Sequence, residues 1–250
     1  NNLQFNTTKT ETSLLGSFHQ INSLSHLSSL PLGSESVNVS PSLKILGVFL
    51  DNKLTFSNHI TSIIKSCNHH LRAIRYIRIL LTTELASMLI RCLILSRIDY
   101  CNSILYNIST HQTCRLQRIM KRAAKVALNI PSSVHQPAIN FFAKLHWLPI
   151  PYRIHFKIAL ITYKTLATSS PIYLHKLLTA RSISKQLRST SSLHLLQKTT
   201  INKISRRGFR HAAPAVWNSL PPDIRNSPNV KIFKSKLKTH YFNISLKEPS

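Results

Sequence analysis

Apolar and polar positions recur with a helical period over most of the chain. From Asn58 onward, Ile60, Ile63, Ile64, Cys67, Leu71 and Ile74 fall on one face of a predicted helix, and Lys65, His69, Arg72 and Arg75 fall on another. One face reads as core and the other as cationic. A second helix is predicted from about Thr83 to Arg97, with Thr83 as its N-cap and Leu85, Met88, Leu89, Cys92 and Leu93 inward. The third, about 111–129, buries Leu116, Ile119, Met120, Ala123 and Ala127 and sets Arg115, Arg118, Arg122 and Lys125 in a row at spacings of 3, 4 and 3. Ile130-Pro131 ends it, because a residue before proline is pushed out of the helical region.

Further on, LHWLPIPYRIHFKIALITYKTL predicts a helix from about Tyr152 to Leu166 with Ile154, Ile158 and Ile161 inward, and Pro171 opens a shorter one. In the last helix Val230, Phe233, Leu237 and Tyr241 recur at helical spacing, after a Ser227-Pro228 start. Residues 180–205 are polar and basic and read as a loose linker. Trp147 and Trp217 sit among apolar neighbours, which favours core anchors over base-stacking platforms.

The first 56 residues change period. TETSLLG (10–16), ESVNVS (35–40) and LKILGVFLD (43–51) read as strands, with an aperiodic Ser/His/Leu-rich loop at 17–34. So few strands do not make a stable sheet alone and need helices or further strands to pack on. Only 4 glycines in 250 residues argue against a turn-rich β fold. The expected class is therefore mainly α, with a small antiparallel β piece at the N-terminus.

Charge sharpens this picture. Lys9, Lys44 and Lys53 are balanced by Glu11, Glu35 and Asp51, so the whole net charge of +26 lies beyond residue 58. Such an imbalance calls for a polyanionic partner, with nucleic acid foremost. Rows of cations normally alternate with acids on a solvated helix face; here the acids are missing, and the like charges repel unless a partner neutralises them. The longest apolar segment, from Ile79, carries Glu84 and Arg91 and keeps amphipathic spacing, which speaks against a membrane span.

Candidate chemistry is sparse. Metal-assisted phosphoryl transfer needs carboxylates converging on ions, whereas the 7 acids are scattered with no D-D or D-x-D pattern. Glycine-rich phosphate loops, G-x-S-x-G and H-E-x-x-H are absent. Cys67, Cys92, Cys101 and Cys114 are too irregularly spaced for a zinc site, although His111 and Cys114 form an H-x-x-C pair; reduced, mostly buried thiols are expected.

In order, NNLQFNTTKTETSLLG, LKILGVFLDNKLTFSNHI, RIDYCNSILY, LHWLPIPYRIHFKIALITYK, AAPAVWNSLPPDIR and FKSKLKTHYF resemble the C-terminal part of the reverse transcriptase of LINE-type (non-LTR) retrotransposons, of the jockey and chicken-repeat kind. The resemblance covers nearly the whole chain except the loop at 17–34 and the linker near 180–205. It implies residual palm strands and a primer-grip hairpin over 1–56, thumb-like helices over 57–130, and a C-terminal helical region over 131–250. Residues 3–16 would match the last palm motif, with its lysine at Lys9, and the glycine-containing strand around Gly47 would be the grip that lets a nucleic-acid backbone approach. A β-bulge or tight packing is the alternative for Gly47.

The same resemblance assigns RNA-directed DNA synthesis with magnesium to the parent polymerase, whose catalytic aspartates would precede Asn1. The chain begins without methionine, as expected of a processed or incomplete product that lacks the upstream palm and fingers, holds no cofactor of its own and extends no primer alone. Expected partners are an RNA template and a DNA primer, bound through Gly47, Lys65, Arg72, Arg75, Arg115, Arg118, Arg122 and Lys125. The alternatives are a stand-alone basic RNA- or DNA-binding protein and an inactive translated relic.

Overall fold

Helices make up most of the chain, and among the described residues four strands form two small antiparallel sheets near the N-terminus. The computed structural model describes residues 6, 9–24, 26–32, 35–180, 194–200, 202 and 204–247. It divides into two compact units, 1–63 and 64–250, and the division falls inside helix α2 (Ser57–Tyr76). The helices on either side of residue 130 share the second unit.

In the first unit, a short helix α1 (Phe18–Ser23) occupies the expected loop. Its capping box explains it: Gln20 N–H donates to Ser17 Oγ, and Ser17 N–H donates to Gln20 Oε1 at 2.9 Å. Strand β1 (Ser29–Leu32) also lies in that loop and pairs with β2 (Glu35–Asn38). By contrast, residues 10–16 form no strand; Thr12 makes a single bridge to Val39.

The apolar run at 43–51, read from its residues as one strand and through the resemblance as a hairpin, folds as a hairpin. Strand β3 (Ser42–Ile45) pairs with β4 (Val48–Asp51), leaving Leu46 and Gly47 as a two-residue turn. Their φ values of 48° and 83° are both positive, as a type I′ turn demands, and glycine takes that conformation without steric cost. Gly47 is thus a turn residue, and neither the strand-interior glycine nor the bulge that the sequence suggested. Asp51 then redirects the chain: its carboxylate accepts the N–H of Thr55 at 2.8 Å and of Phe56 at 2.7 Å. Helix α2 starts directly after this bend, burying Phe56, His59 and Ile60.

In the second unit, α2 continues with Cys67, Leu71 and Ile74 buried and Lys65, His69, Arg72 and Arg75 exposed. Helix α3 (Thr83–Ile90) is capped by Thr82, one residue before the expected Thr83; Thr82 Oγ1 accepts Leu85 N–H at 3.2 Å. A π turn (Arg91–Leu95) joins α3 to α4 (Ser96–Asp99). Ala86, Ile90, Ile94 and Ile98 are all buried at steps of four. An α-helix turns every 3.6 residues, so such a stripe would drift around it; the wider π turn takes up part of the drift. The core face differs from the expected one already in α3, ahead of the π turn. Leu85, Met88 and Cys92 are exposed instead of buried.

Helix α5 (Thr110–Ala127) buries Leu116, Ile119, Met120, Ala123 and Ala127 and packs against α3 and α6 (Ala138–Leu145). Helix α7 (Ile150–Thr168) buries Ile154 and Ile158 and packs on α9 (Phe209–Asn218) and α11 (Val230–Lys247), while α8 (Ile172–His175) and α10 (Pro222–Arg225) are single turns. Where these helices meet, Tyr163 stacks on Phe233 at 4.3 Å between ring centres and Trp217 lies 6.1 Å from Phe233. Trp217 and Trp147 are buried.

Ser227 does not cap α11. It is buried, and its carbonyl accepts Tyr163 O–H at 2.8 Å, whereas Asn229 Oδ1 accepts Ile232 N–H at 2.9 Å at the helix start. Residues 181–193, 201 and 203 of the expected linker lie outside the described residues. Its middle is anchored, because Leu195 is buried and exchanges two hydrogen bonds with the Asn218 side chain, at 3.0 and 2.8 Å.

Candidate nucleic-acid interface

The two cationic helix faces of the second unit meet at one groove. On α2, burial of Leu71 and Ile74 turns Arg72 and Arg75 outward; on α5, burial of Ile119, Ala123 and Val126 does the same for Arg118 and Arg122. Together with Lys121 and Lys125 these side chains line a groove of about 1070 Å³. Among the described residues no carboxylate lines it. Among the described residues, the side chains of Arg72, Arg75, Arg118 and Arg122 make no hydrogen bond or ion pair, and the one ion pair found, Asp99–Arg153 at 2.6 Å, lies elsewhere.

Two cations of the groove are already engaged. Arg78, which follows α2, is buried and turns its guanidinium to the end of α5. Its Nε donates to Val126 O at 2.7 Å and its Nη2 to Ala127 O at 3.0 Å, while Nη1 donates to Leu81 O at 2.7 Å. The last carbonyls of a helix lack partners and carry partial negative charge, so a guanidinium is well matched to them. Lys125 Nζ donates to Ser132 O at 2.9 Å and Val134 O at 2.6 Å, holding the chain after α5 against that helix.

Five of the expected nucleic-acid contacts therefore share one groove: Arg72, Arg75, Arg118, Arg122 and Lys125. Lys65 is exposed on α2 but does not line it, and Arg115 is half-buried, with Nη1 donating to Gln112 Oε1 at 2.9 Å. Gly47 and Lys9, which is exposed, belong to the first unit. The sequence reading missed Lys121 and Arg78. Lys121 lies one residue off the 3-4-3 row, and Arg78 sits in an apolar run, RILL, with no periodic signature; a cation just beyond a helix end was the available signal.

Four guanidinium groups on two helix faces offer many N–H donors to phosphate oxygens, which they bind in a bidentate manner. Of the cysteines, Cys67 is buried, and burial pushes its thiol up to about 11, while Cys92 and Cys114 are exposed, contrary to the expectation of mostly buried thiols. Among the described residues no three His, Cys, Asp or Glu side chains come together. No described helix is long and apolar enough to cross a membrane. Comparison with protein-family models, with curated proteins and with solved structures finds no match to this chain.

Proposed function

We propose that the chain binds the phosphate backbone of a nucleic acid along the α2–α5 groove, in the manner of the thumb of a non-LTR retrotransposon reverse transcriptase holding an RNA template and DNA primer. One observation carries the reading: Arg72 and Arg75 from one helix and Arg118 and Arg122 from another, distant in sequence, line a single groove with no acid among its described lining residues. Like charges brought this close repel each other in water, and a polyanion converts that repulsion into attraction by releasing its condensed counterions. Recognition of this kind positions the strand without reading bases, as copying any template requires.

The ordered likeness in sequence adds the polymerase ancestry, and with it the palm and fingers as the partner elements that would carry the reaction. The competing reading is a stand-alone basic RNA- or DNA-binding protein with no polymerase ancestry; a self-sufficient N-terminal sheet with covered edges would favour it, and strands paired in two two-stranded sheets do not supply one.

The test is a fluorescence-anisotropy titration of the full chain with an RNA–DNA hybrid between about 50 and 200 mM salt, where neutralising several phosphates predicts an affinity loss on the order of 10² to 10⁴. A flat salt response overturns the reading.

A further inference from the structure

The groove does not end in polar surface. Where α2 stops, Tyr76 is 88% exposed, and the 3₁₀ turn that follows exposes Ile79 and Leu80 by 87% and 79%. Ile79 lines the same groove as Arg72, Arg75 and Arg118. Large apolar side chains so fully in water are unfavourable unless something covers them.

The turn that carries them is held firmly. Arg78 lies between Ile77 and Ile79, and its guanidinium is fixed to three backbone carbonyls, two of them at the end of α5. With three residues per turn, anchoring Arg78 inward directs its neighbours outward. The apolar tip is a preorganised projection beside a cationic groove.

Resting on the backbone-binding reading above, we infer that this tip, Tyr76 with Ile79 and Leu80, receives unpaired bases of the strand whose phosphates occupy the α2–α5 groove. A polyanion offers apolar surface only through its bases, and a duplex hides that surface in its stack; single-stranded or junction nucleic acid presents it. A second copy of this chain is a poor occupant, because each carries a net charge of +26. An anionic lipid surface is the competing partner that shares both the charge and the apolar character.

Two hybrids with overhangs of equal length, one with normal bases and one abasic, carry the same phosphates and differ only in bases. The full chain should bind the base-bearing overhang roughly tenfold more tightly, the size expected for one or two stacked bases. Tyr76→Ser with Leu80→Ser, two tip residues that do not line the groove, should erase that difference and leave the abasic affinity and the melting temperature unchanged. Equal affinity for both overhangs, or a preference that survives the double substitution, overturns the inference while the backbone-binding reading stands. Absence of binding to either hybrid overturns both. Binding to phosphatidylserine vesicles that the double substitution abolishes, with no base preference, gives the tip to a membrane surface instead.

Discussion

Arg78 Nε donates to the backbone carbonyl of Val126 at 2.7 Å, joining positions 48 residues apart. This bond, with those to Ala127 and Leu81, ties the end of α2 to the end of α5, the two helices whose arginines line the groove. A buried cation with no carboxylate partner is stable here because helix-terminal carbonyls supply the negative end of a dipole.

Removing that guanidinium leaves several buried acceptors without donors. Arg78→Met should lower unfolding free energy by about 2–4 kcal/mol, a loss of hydrogen bonds made by a charged group. Arg78→Lys should recover only part of it, since an ammonium lacks the planar fork. Urea unfolding with unchanged m-values checks both; a change within about 0.5 kcal/mol for Arg78→Met would show the anchor to be incidental.

Arg72 and Arg75 present the opposite case. Both side chains are exposed and have no partner among the described residues. Arg72→Ala with Arg75→Ala should keep stability within about 0.5 kcal/mol and weaken hybrid binding about 10-fold or more at low salt. Calorimetry alongside anisotropy separates the two effects, and a large fall in melting temperature would make these arginines structural.

His59 supplies a pH dependence. Burial holds its imidazole below the usual histidine range, and its buried Nε2 has no partner among the described residues. The folded state therefore binds the proton less readily than the unfolded chain, so stability is full above about pH 6.5 and declines as pH falls through the interval below it. His70 and His240, also lowered chiefly by burial, act in the same direction. Melting curves from pH 7.5 to 5 should show this decline, and His59→Phe should flatten part of it; an unchanged profile would dismiss His59 as its source.

Thiol labelling reads the core directly. Cys92 and Cys114 should react with iodoacetamide quickly in the native protein, and Cys67 on the order of 10²-fold more slowly, being both buried and harder to ionise. Mass spectrometry of labelled peptides resolves the sites. Rapid labelling of Cys67 without denaturant would contradict the packing of α2.

Much of the helical structure could be read from the sequence because α2 and α5 have one apolar and one cationic face, and period alone separates them. Helix α3 was misread for a definite reason. Its inward residues include the small Ala86 and the polar Ser87, so the larger but exposed Leu85 and Met88 mislead a hydropathy pattern. Strand β1 escaped because its pairing depends on β2 and not on its own alternation. Both rows of the groove were visible separately. Their meeting was not, since sequence spacing within a helix carries no information about which other helix its polar face confronts.

The most direct measurement of the groove's role is the slope of log affinity against log salt for the unaltered chain and for a variant carrying Arg72→Gln, Arg75→Gln, Arg118→Gln and Arg122→Gln. One groove filled by one polyanion predicts a slope shallower by about 3–4, close to one per lost phosphate contact. A slope that the four substitutions leave unchanged would contradict it, and would place whatever binding exists on another surface.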